Sequence, residues 1–273
     1  MKGGLGLALA GIAVAATTIC GLGSLHAQPS ADQMEAAKLL APTGKLRVGV
    51  LMVWYFALED KASGELKGVI PDLGAALAKR IGVPVELSKH VNPASVMDAF
   101  RSNAIDVTFI GITGDRALVM DYGPTVLDLQ TTFLVPAASK VTSIAEIDQP
   151  GLRILVSRLS AQEAYLRKIV TKATLINVAV ETPKQAVDLI AAGEADAFSH
   201  VVPMLASAQP SLPGSRILPG SYYNVPVAVA VAKGRPPAAS ELARSFVVEA
   251  KASGLVQQAI ERAKLPGVVV SPP

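Results

Sequence analysis

Apolar residues recur along the chain with two different periods, and the two periods alternate from about residue 45 onward. The run KLRVGVL (45–51) indicates a buried strand, and the apolar spacing in IPDLGAALAKRIG (70–82) indicates a helix. Pro71 in its first turn and Gly82 at its end are typical of helix boundaries. A strand at VPVELSK, a helix at PASVMDAFRS and a strand at AIDVTFIG follow. This order predicts a mostly parallel sheet covered by helices on both faces.

The alternation starts again after an extended segment, TTFLVPA (131–137). Strand LRILVS, helix SAQEAYLRKIVTKA, strand TLINVAV, helix PKQAVDLIAAG and strand ADAFSH are predicted in turn. A proline-rich stretch (203–219) then leads to a second extended segment, YNVPVAVAVAKG (223–234), before two final helices, AASELARSFVVEAKASG and LVQQAIERAKL. Two groups of βα units joined by two crossing segments predict two lobes with a hinge and a cleft between them.

The first residues predict where the protein works. Lys2 precedes an apolar run from Leu5 to Leu25 that ends in HAQPS, which is typical of a secretory signal cleaved after Ala27. A membrane anchor is the alternative, because the run is nearly long enough to span a bilayer. Its glycines, its threonines and the small residue at its C-terminal end favour cleavage. We therefore expect residues 1–27 to be removed and the protein to be exported to the periplasm.

Composition narrows the class of protein further. The formal net charge of +3 falls to +2 without residues 1–27, since Lys2 is the only Lys, Arg, Asp or Glu among them. So small a charge, with no basic stripe, argues against a nucleic-acid partner. Cys20 is the single cysteine, so the mature chain has no internal disulfide; removing 27 of 273 residues leaves 246, enough for one large or two smaller domains. No metal-binding or cofactor motif occurs, and we expect no cofactor.

A turn after the strand AIDVTFIG carries the candidate chemistry. In FIGITGDRALVMDYGP (109–124) the apolar strand is followed by a glycine-containing turn with a single arginine, Arg116. Ligands on parallel sheets bind beyond the carboxyl ends of the strands, and an arginine fork matches a carboxylate in plane. The alternative is a surface arginine paired with Asp115 or Asp121, which would contribute little. The strand-end position favours a ligand contact.

Five segments, taken in order, carry a resemblance to a known family. They are LRVGV, GELKGVIPDLGAALAKRIGVPVEL, AFRSNAIDVTFIGITGDRALVMDYGPT, IAEIDQPGLRILVS and AAGEADAF. Their order and spacing, from about Gly44 to Lys264, resemble the solute-binding proteins of polar amino-acid ABC importers, which are type II periplasmic binding proteins. The resemblance implies a two-lobed α/β Venus-flytrap fold that closes around a small solute and delivers it to ABC permease subunits in the inner membrane. The implied lobe one comprises residues 28–136 and 226–273, and lobe two comprises residues 137–225.

The resemblance implies a carboxylate site in lobe one. In the family, the turn after the third strand carries an arginine that holds the ligand's α-carboxylate, assisted by threonine and backbone groups. The matching positions are Gly111, Thr113 and Arg116, in a turn two residues shorter than the family's. Family members also stack an aromatic residue on the ligand after the first strand. Trp54 and Tyr55 stand there in WYF, and we expect one of them to face the cleft.

The resemblance places the other half of the site in lobe two, where this chain departs from the family. Leu159 stands where the family has glycine, while Ser160 keeps the hydroxyl and either binds the ligand or only caps a helix together with Glu163. The family's ammonium-binding aspartate corresponds to Val201. His200 is the nearest polar group and a candidate contact. With an unperturbed pKa of about 6.5 it is expected to favour a second anionic group at lower pH.

These features together predict a monomeric periplasmic solute-binding protein of an ABC importer. Its ligand is expected to be a small carboxylate-bearing solute, an amino acid or a related organic acid. No carboxylate occurs between residues 197 and 240, so a buried ligand ammonium would lack an anionic partner there. A periplasmic sensor or adaptor is one alternative. An enzyme resembling cyclohexadienyl dehydratase is another, since Glu163 falls at that enzyme's catalytic glutamate, although the glycines and asparagine of its GGTNE turn are missing. Tyr222, Tyr223 and Asn224 are further candidates for lining the cleft.

Overall fold

The computed structural model describes residues 1, 3, 31–158, 160–180 and 182–273. The predicted signal sequence, apart from Met1 and Gly3, lies outside the described residues, as does Leu159. The described part of the chain contains eight α-helices: α1 Ala31–Leu40, α2 Val69–Arg80, α3 Pro93–Arg101, α4 Ala161–Ile169, α5 Pro183–Ala191, α6 Val202–Ala208, α7 Pro237–Ala252 and α8 Leu255–Ala263. It also contains twelve strands: β1 Leu46–Leu51, β2 Leu58–Glu59, β3 Leu66–Lys67, β4 Val85–His90, β5 Val107–Gly111, β6 Met120–Val135, β7 Arg153–Ser157, β8 Thr174–Val178, β9 Ala197–Val201, β10 Arg216–Ile217, β11 Tyr223–Ala232 and β12 Val268–Val270.

Ten of these strands form one sheet in the order β4-β1-β5-β11-β6-β9-β7-β8, with β10 and β12 paired to β6. In the first strand group, β1 lies parallel to β4 and β5; in the second, β7 lies parallel to β8 and β9. The long antiparallel strands β6 and β11 join the two groups. The predicted α/β architecture, with two parallel groups and two crossing segments, is confirmed. None of the described helices has the length and apolarity to span a bilayer.

Two elements differ from the sequence-based prediction. The first crossing segment is the end of a 16-residue strand, β6, and not a short link. Gly123 and Pro124 are unusual inside a strand, so the sequence did not indicate where β6 begins. Both lie at an irregularity of the β6–β11 register, where the backbone N–H that proline lacks is not needed for strand pairing. The proline-rich stretch begins with a helix, α6, because Pro203 occupies its first turn, where the absent N–H would have no helical partner anyway.

In each strand group, a hydrogen-bonded Arg–Asp pair of the same geometry connects the first and third strands. In the first strand group the backbone N–H of Arg47 donates to Asp106 Oδ2 at 3.0 Å and its Nη2 to Oδ1 at 2.7 Å. In the second, Arg153 donates to Asp196 in the same way, at 2.8 and 2.9 Å. The two differ in burial. The Asp106 side chain is 0% exposed and receives a second guanidinium, Arg235, at 2.5 Å, whereas both members of the Arg153–Asp196 pair are 39% exposed.

The C-terminal segment closes the fold against α6. Gly267 accepts a hydrogen bond from the Gln130 backbone N–H at 2.8 Å and leads into β12. It has φ +68°, and a Cβ there would lie 2.3 Å from the Cβ of Val202 in α6. Only glycine fits this left-handed position without a shift of one segment or the other. The end of the chain is thereby held against the helix that follows the second strand group.

The carboxyl ends of the two strand groups face each other across β6 and β11. Gly111, at the end of β5, lies opposite Val227 in β11, while Val201, at the end of β9, lies opposite Thr131, which is itself paired with Tyr223. The pairing directions make β5 and β9 run toward one another. Four residue steps along β11, from Tyr223 to Val227, separate the two ends along the strand direction, or about 13 Å at 3.3 Å per residue, and three strand spacings, about 14 Å, separate them across the sheet. We call the space between the turns that follow β5 and β9 the gap.

Candidate ligand-binding site

The turn after β5 is built around the guanidinium of Arg116. Its Nη1 donates to the carbonyl of Gly111 at 2.5 Å. The hydroxyl of Tyr122 donates to the same carbonyl at 3.2 Å and accepts from the backbone N–H of Thr113 at 3.3 Å. A Cβ on Gly111 would lie 3.4 Å from Nη1, so glycine leaves room for the side chain. The structure therefore brings the three predicted residues Gly111, Thr113 and Arg116 together in one hydrogen-bonded turn.

Arg116 is half-buried and, among the described residues, has no carboxylate within ion-pair distance. Burial lowers the pKa of its guanidinium, against the opposing influences of Tyr122 and Asp115. The alternative of a surface arginine paired with Asp115 or Asp121 is wrong in this structure. Asp115 is exposed, and Asp121 accepts a hydrogen bond from Gly234 at 3.4 Å. A partly desolvated cation without a counter-ion is where a ligand carboxylate would be held most strongly.

Trp54 and Tyr55 lie at the end of the first strand group but belong to another cavity. The Trp54 and Tyr55 rings meet edge to face at 5.5 Å, and burial raises the pKa of Tyr55 to about 12. Both rings line a cavity of about 450 Å³ together with parts of α2 and α8, including Asp72 and Arg262. Arg116 does not line this cavity. The expectation that one of the two rings stacks on a ligand held by Arg116 therefore stays a prediction.

Ser160 caps α4 at the end of the second strand group. Its Oγ accepts a hydrogen bond from the Glu163 backbone N–H at 3.0 Å, as the capping interpretation predicts. The Glu163 carboxylate is buried and accepts two hydrogen bonds from Arg167, at 2.7 and 3.0 Å. A hydroxyl that caps a helix can still meet a ligand at the helix N-terminus. Ligand binding by Ser160 stays a prediction.

His200 lies near the end of β9 and is partly buried. Its Nδ1 accepts a hydrogen bond from the backbone N–H of Val201 at 2.9 Å, and its ring lies 5.5 Å from that of Phe198. Burial lowers the pKa of His200 to about 4. The expectation that His200 becomes protonated just below pH 6.5 and then attracts a second anion is therefore wrong. It failed because burial depends on tertiary packing, which the sequence pattern does not give.

We expect the buried His200 to make the fold less stable in acid. The unfolded chain takes up a proton near pH 6.5, whereas the folded chain does so only near pH 4. Stability is then unaffected above pH 6.5 and falls as the pH drops from 6.5 to 4, by roughly 2–3 kcal/mol. Urea unfolding at pH 7.5 and pH 4.5 measures this loss, and in His200→Gln the loss should shrink by most of that amount. An equal pH dependence in the two proteins would contradict the buried neutral imidazole.

An aromatic cluster joins α4 to β11 beside the gap. Tyr165 stacks on Tyr223 at 4.8 Å, and Tyr222 stacks on Phe133 at 4.9 Å. The hydroxyls of Tyr222 and Ser199 share a hydrogen bond of 2.5 Å. The sequence analysis identified Tyr222 and Tyr223 but not Tyr165. Tyr165 lies in the second turn of a helix that begins at a strand end, and this position is a signal that could have identified it. It also missed Tyr122, for which we find no sequence signal. Among the described residues no group of three or more His, Cys, Asp or Glu side chains is placed to hold a metal ion.

Comparison with known proteins places these observations in a family. A profile described as Bacterial extracellular solute-binding proteins, family 3, matches residues 46–263. None of the curated protein sequences compared with the chain matches it.

Solved structures share the fold at low sequence identity. An ABC transporter binding component from Wolinella succinogenes, complexed with lysine, is 24% identical, with a TM-score of 0.64 over 80% of this chain and 95% of its own. An amino acid ABC transporter substrate-binding protein from Streptococcus pneumoniae, bound to L-arginine, is 20% identical, with a TM-score of 0.63 over 85% and 99%. The ancestral amino acid-binding protein AncCDT-1, a precursor of cyclohexadienyl dehydratase, is 23% identical, with a TM-score of 0.63 over 83% and 97%. The shared fold is that of two-lobed type II periplasmic binding proteins.

Proposed function

We propose that the protein captures a small carboxylate-bearing solute between its two lobes and hands it to the permease of an ABC importer. The reason is that the chain belongs to the bacterial extracellular solute-binding proteins of family 3. The solute is an amino acid or a related organic acid. The protein acts as a monomer in the periplasm after removal of residues 1–27. Lobe one comprises residues 28–136 and 226–273, and lobe two comprises residues 137–225.

The observation that carries the proposal is the unpaired guanidinium of Arg116. It is half-buried in the turn that follows the carboxyl end of β5, at one end of the gap. Nη1 is anchored on Gly111, which orients the fork without neutralising its charge. A carboxylate in the gap would supply the missing counter-ion and two parallel hydrogen bonds. The proposed ligand contacts are Gly111, Thr113, Arg116, Ser160, His200 and one of Trp54 and Tyr55.

The experiment is a thermal-shift screen of the purified protein against amino acids and organic acids, followed by small-angle scattering with the best ligand. A ligand at 100 times its dissociation constant adds about 2.7 kcal/mol to the free energy of unfolding, a shift that such a screen detects readily. Bound ligand should also decrease the radius of gyration, because the lobes close by a hinge. A screen in which no carboxylate raises the melting temperature would contradict the proposal. Ligand-dependent binding to the permease subunits distinguishes an importer component from a sensor or adaptor.

A dehydratase function is the second candidate, and one observation favours it. Glu163 is a buried carboxylate in the first turn of α4, at the end of the second strand group. Against it, Arg167 already donates two hydrogen bonds to that carboxylate. We propose that the protein is not an enzyme and that Glu163 is structural. Incubation with prephenate checks this: turnover that disappears in Glu163→Gln would establish the enzyme instead.

A further inference from the structure

We infer that the solute is a carboxylate that carries no α-ammonium group. The inference rests on the proposed function and narrows its ligand class. The charges at the two ends of the gap decide which ligand groups can bind there. One end offers a cation without a counter-ion, and the described acidic side chains give that site no anion with which to hold an ammonium.

The two residues at the end of β9 carry no negative charge to the far end of the gap. Val201 ends β9, is 2% exposed and belongs to the main apolar core of the protein. The neighbouring His200 is neutral above about pH 4 and accepts a hydrogen bond from the chain itself. Neither residue supplies a negative charge. An ammonium that approached this end would lose its water without gaining an anionic partner, and such burial costs several kcal/mol.

The acidic side chains nearest in sequence to the site-forming turns and strands are occupied elsewhere. Three of them pair with a cation within 2.9 Å: Glu59 with Lys89, Asp60 with Lys67 and Glu163 with Arg167. Asp128 accepts a hydrogen bond from the Ser271 hydroxyl at 2.7 Å, and its charge acts on the Lys251 ammonium. Asp115, on the Arg116 turn itself, is exposed to solvent. A carboxylate in water holds a ligand ammonium weakly.

The nearest neutral acceptor is also in use. In an amino acid the ammonium sits one carbon from the carboxylate, so a carboxylate on Arg116 would bring it close to the Gly111 carbonyl. That oxygen already accepts from both Arg116 and Tyr122, which uses its two lone pairs. A monoanion therefore balances the positive charge of Arg116, whereas a zwitterion places its ammonium beside a guanidinium and next to a carbonyl that is already in use.

The test compares amino acids with their deaminated counterparts by titration calorimetry on the intact exported protein. Suitable pairs are phenylalanine with 3-phenylpropionate, leucine with 4-methylpentanoate, glutamate with glutarate and lysine with 6-aminohexanoate. In every pair that binds, the deaminated member is expected to bind at least tenfold more tightly. An amino acid that binds more tightly than its counterpart overturns the inference but supports the proposed function. Failure of both members of all pairs overturns the proposed function as well, so the two failures are distinguishable.

A pair of variants tests the place assigned to Val201. Val201→Asp puts a carboxyl group at the end of β9, at a position that is 2% exposed in the wild-type protein, and Val201→Asn is the neutral control of the same shape. The aspartate variant should shift the preference toward the amino acid at least tenfold relative to the asparagine variant. Equal preferences in the two folded variants overturn the role of Val201. Should Val201→Asp fail to fold, the wild-type pairs above still decide the inference. If the wild-type protein prefers amino acids, Asp115→Asn tests whether Asp115 is the carboxylate responsible.

Discussion

Replacing Arg116 by alanine is expected to leave a folded protein that has lost most of its affinity for the carboxylate ligand. The side chain contacts the Gly111 carbonyl and the Tyr122 hydroxyl and forms no ion pair with the described residues, so the fold loses little when it is removed. The ligand loses its only identified counter-ion in a partly desolvated site. Truncating one member of such a pair costs about 2–5 kcal/mol, or roughly thirtyfold to several thousandfold in the dissociation constant. Titration calorimetry with the best ligand from the thermal-shift screen measures the change.

Two further variants separate the fork of Arg116 from its charge. Arg116→Lys keeps the charge but cannot supply two parallel hydrogen bonds, so we expect it to recover only part of the lost affinity. Arg101→Ala is the matched control, because Arg101 is exposed on α3 and pairs with Asp98 at 2.7 Å. It should bind like the wild-type protein. An affinity of Arg116→Ala within threefold of wild type would remove Arg116 from the site.

The order of helices and strands was predictable because the pattern of apolar residues changes its period at nearly every boundary. The helix predicted over residues 70–82 is α2, Val69–Arg80, and the strand predicted over 45–51 is β1, Leu46–Leu51. Elements without a clear period were missed. β12 has three residues, too few to display a period, and α6 begins inside a proline-rich stretch. To predict α6, one must know that Pro203 lies in the first turn of a helix rather than in a loop.

The part of the site that lies close together in sequence was also predictable, and the part that depends on packing was not. Gly111, Thr113 and Arg116 lie within six residues, and a strand end followed by a glycine-containing turn brings such residues together. The environment of His200 depends on Phe198 and on the helices packed against β9, so its depressed pKa is not apparent from residue order. The direction of the Trp54 ring likewise depends on α2 and α8, which come from distant parts of the chain.

The largest loss of stability from a single substitution is expected at Asp106. Its carboxylate is 0% exposed and binds both Arg47, 13% exposed, and Arg235, 12% exposed. It also accepts the backbone N–H of Arg47 at 3.0 Å. Asp106→Ala would leave two nearly buried guanidinium groups without a counter-ion and one backbone donor without an acceptor. Breaking a buried ion pair in this way costs about 3–5 kcal/mol, which would appear as a lower urea midpoint at an unchanged slope.

The second strand group supplies the control for Asp106, because Asp196 accepts from Arg153 the same three hydrogen bonds that Asp106 accepts from Arg47. Its backbone and guanidinium bonds to Arg153 measure 2.8–2.9 Å, but both side chains are 39% exposed. Water can solvate Arg153 once the carboxylate is gone, so Asp196→Ala should destabilise the fold by only a small fraction of the Asp106→Ala loss. The geometry of the first arginine is common to both sites, which differ in burial and in the second arginine that Asp106 binds. Equal losses from Asp106→Ala and Asp196→Ala would mean that hydrogen-bond geometry, and not the desolvation of the two arginines, sets the contribution of this motif.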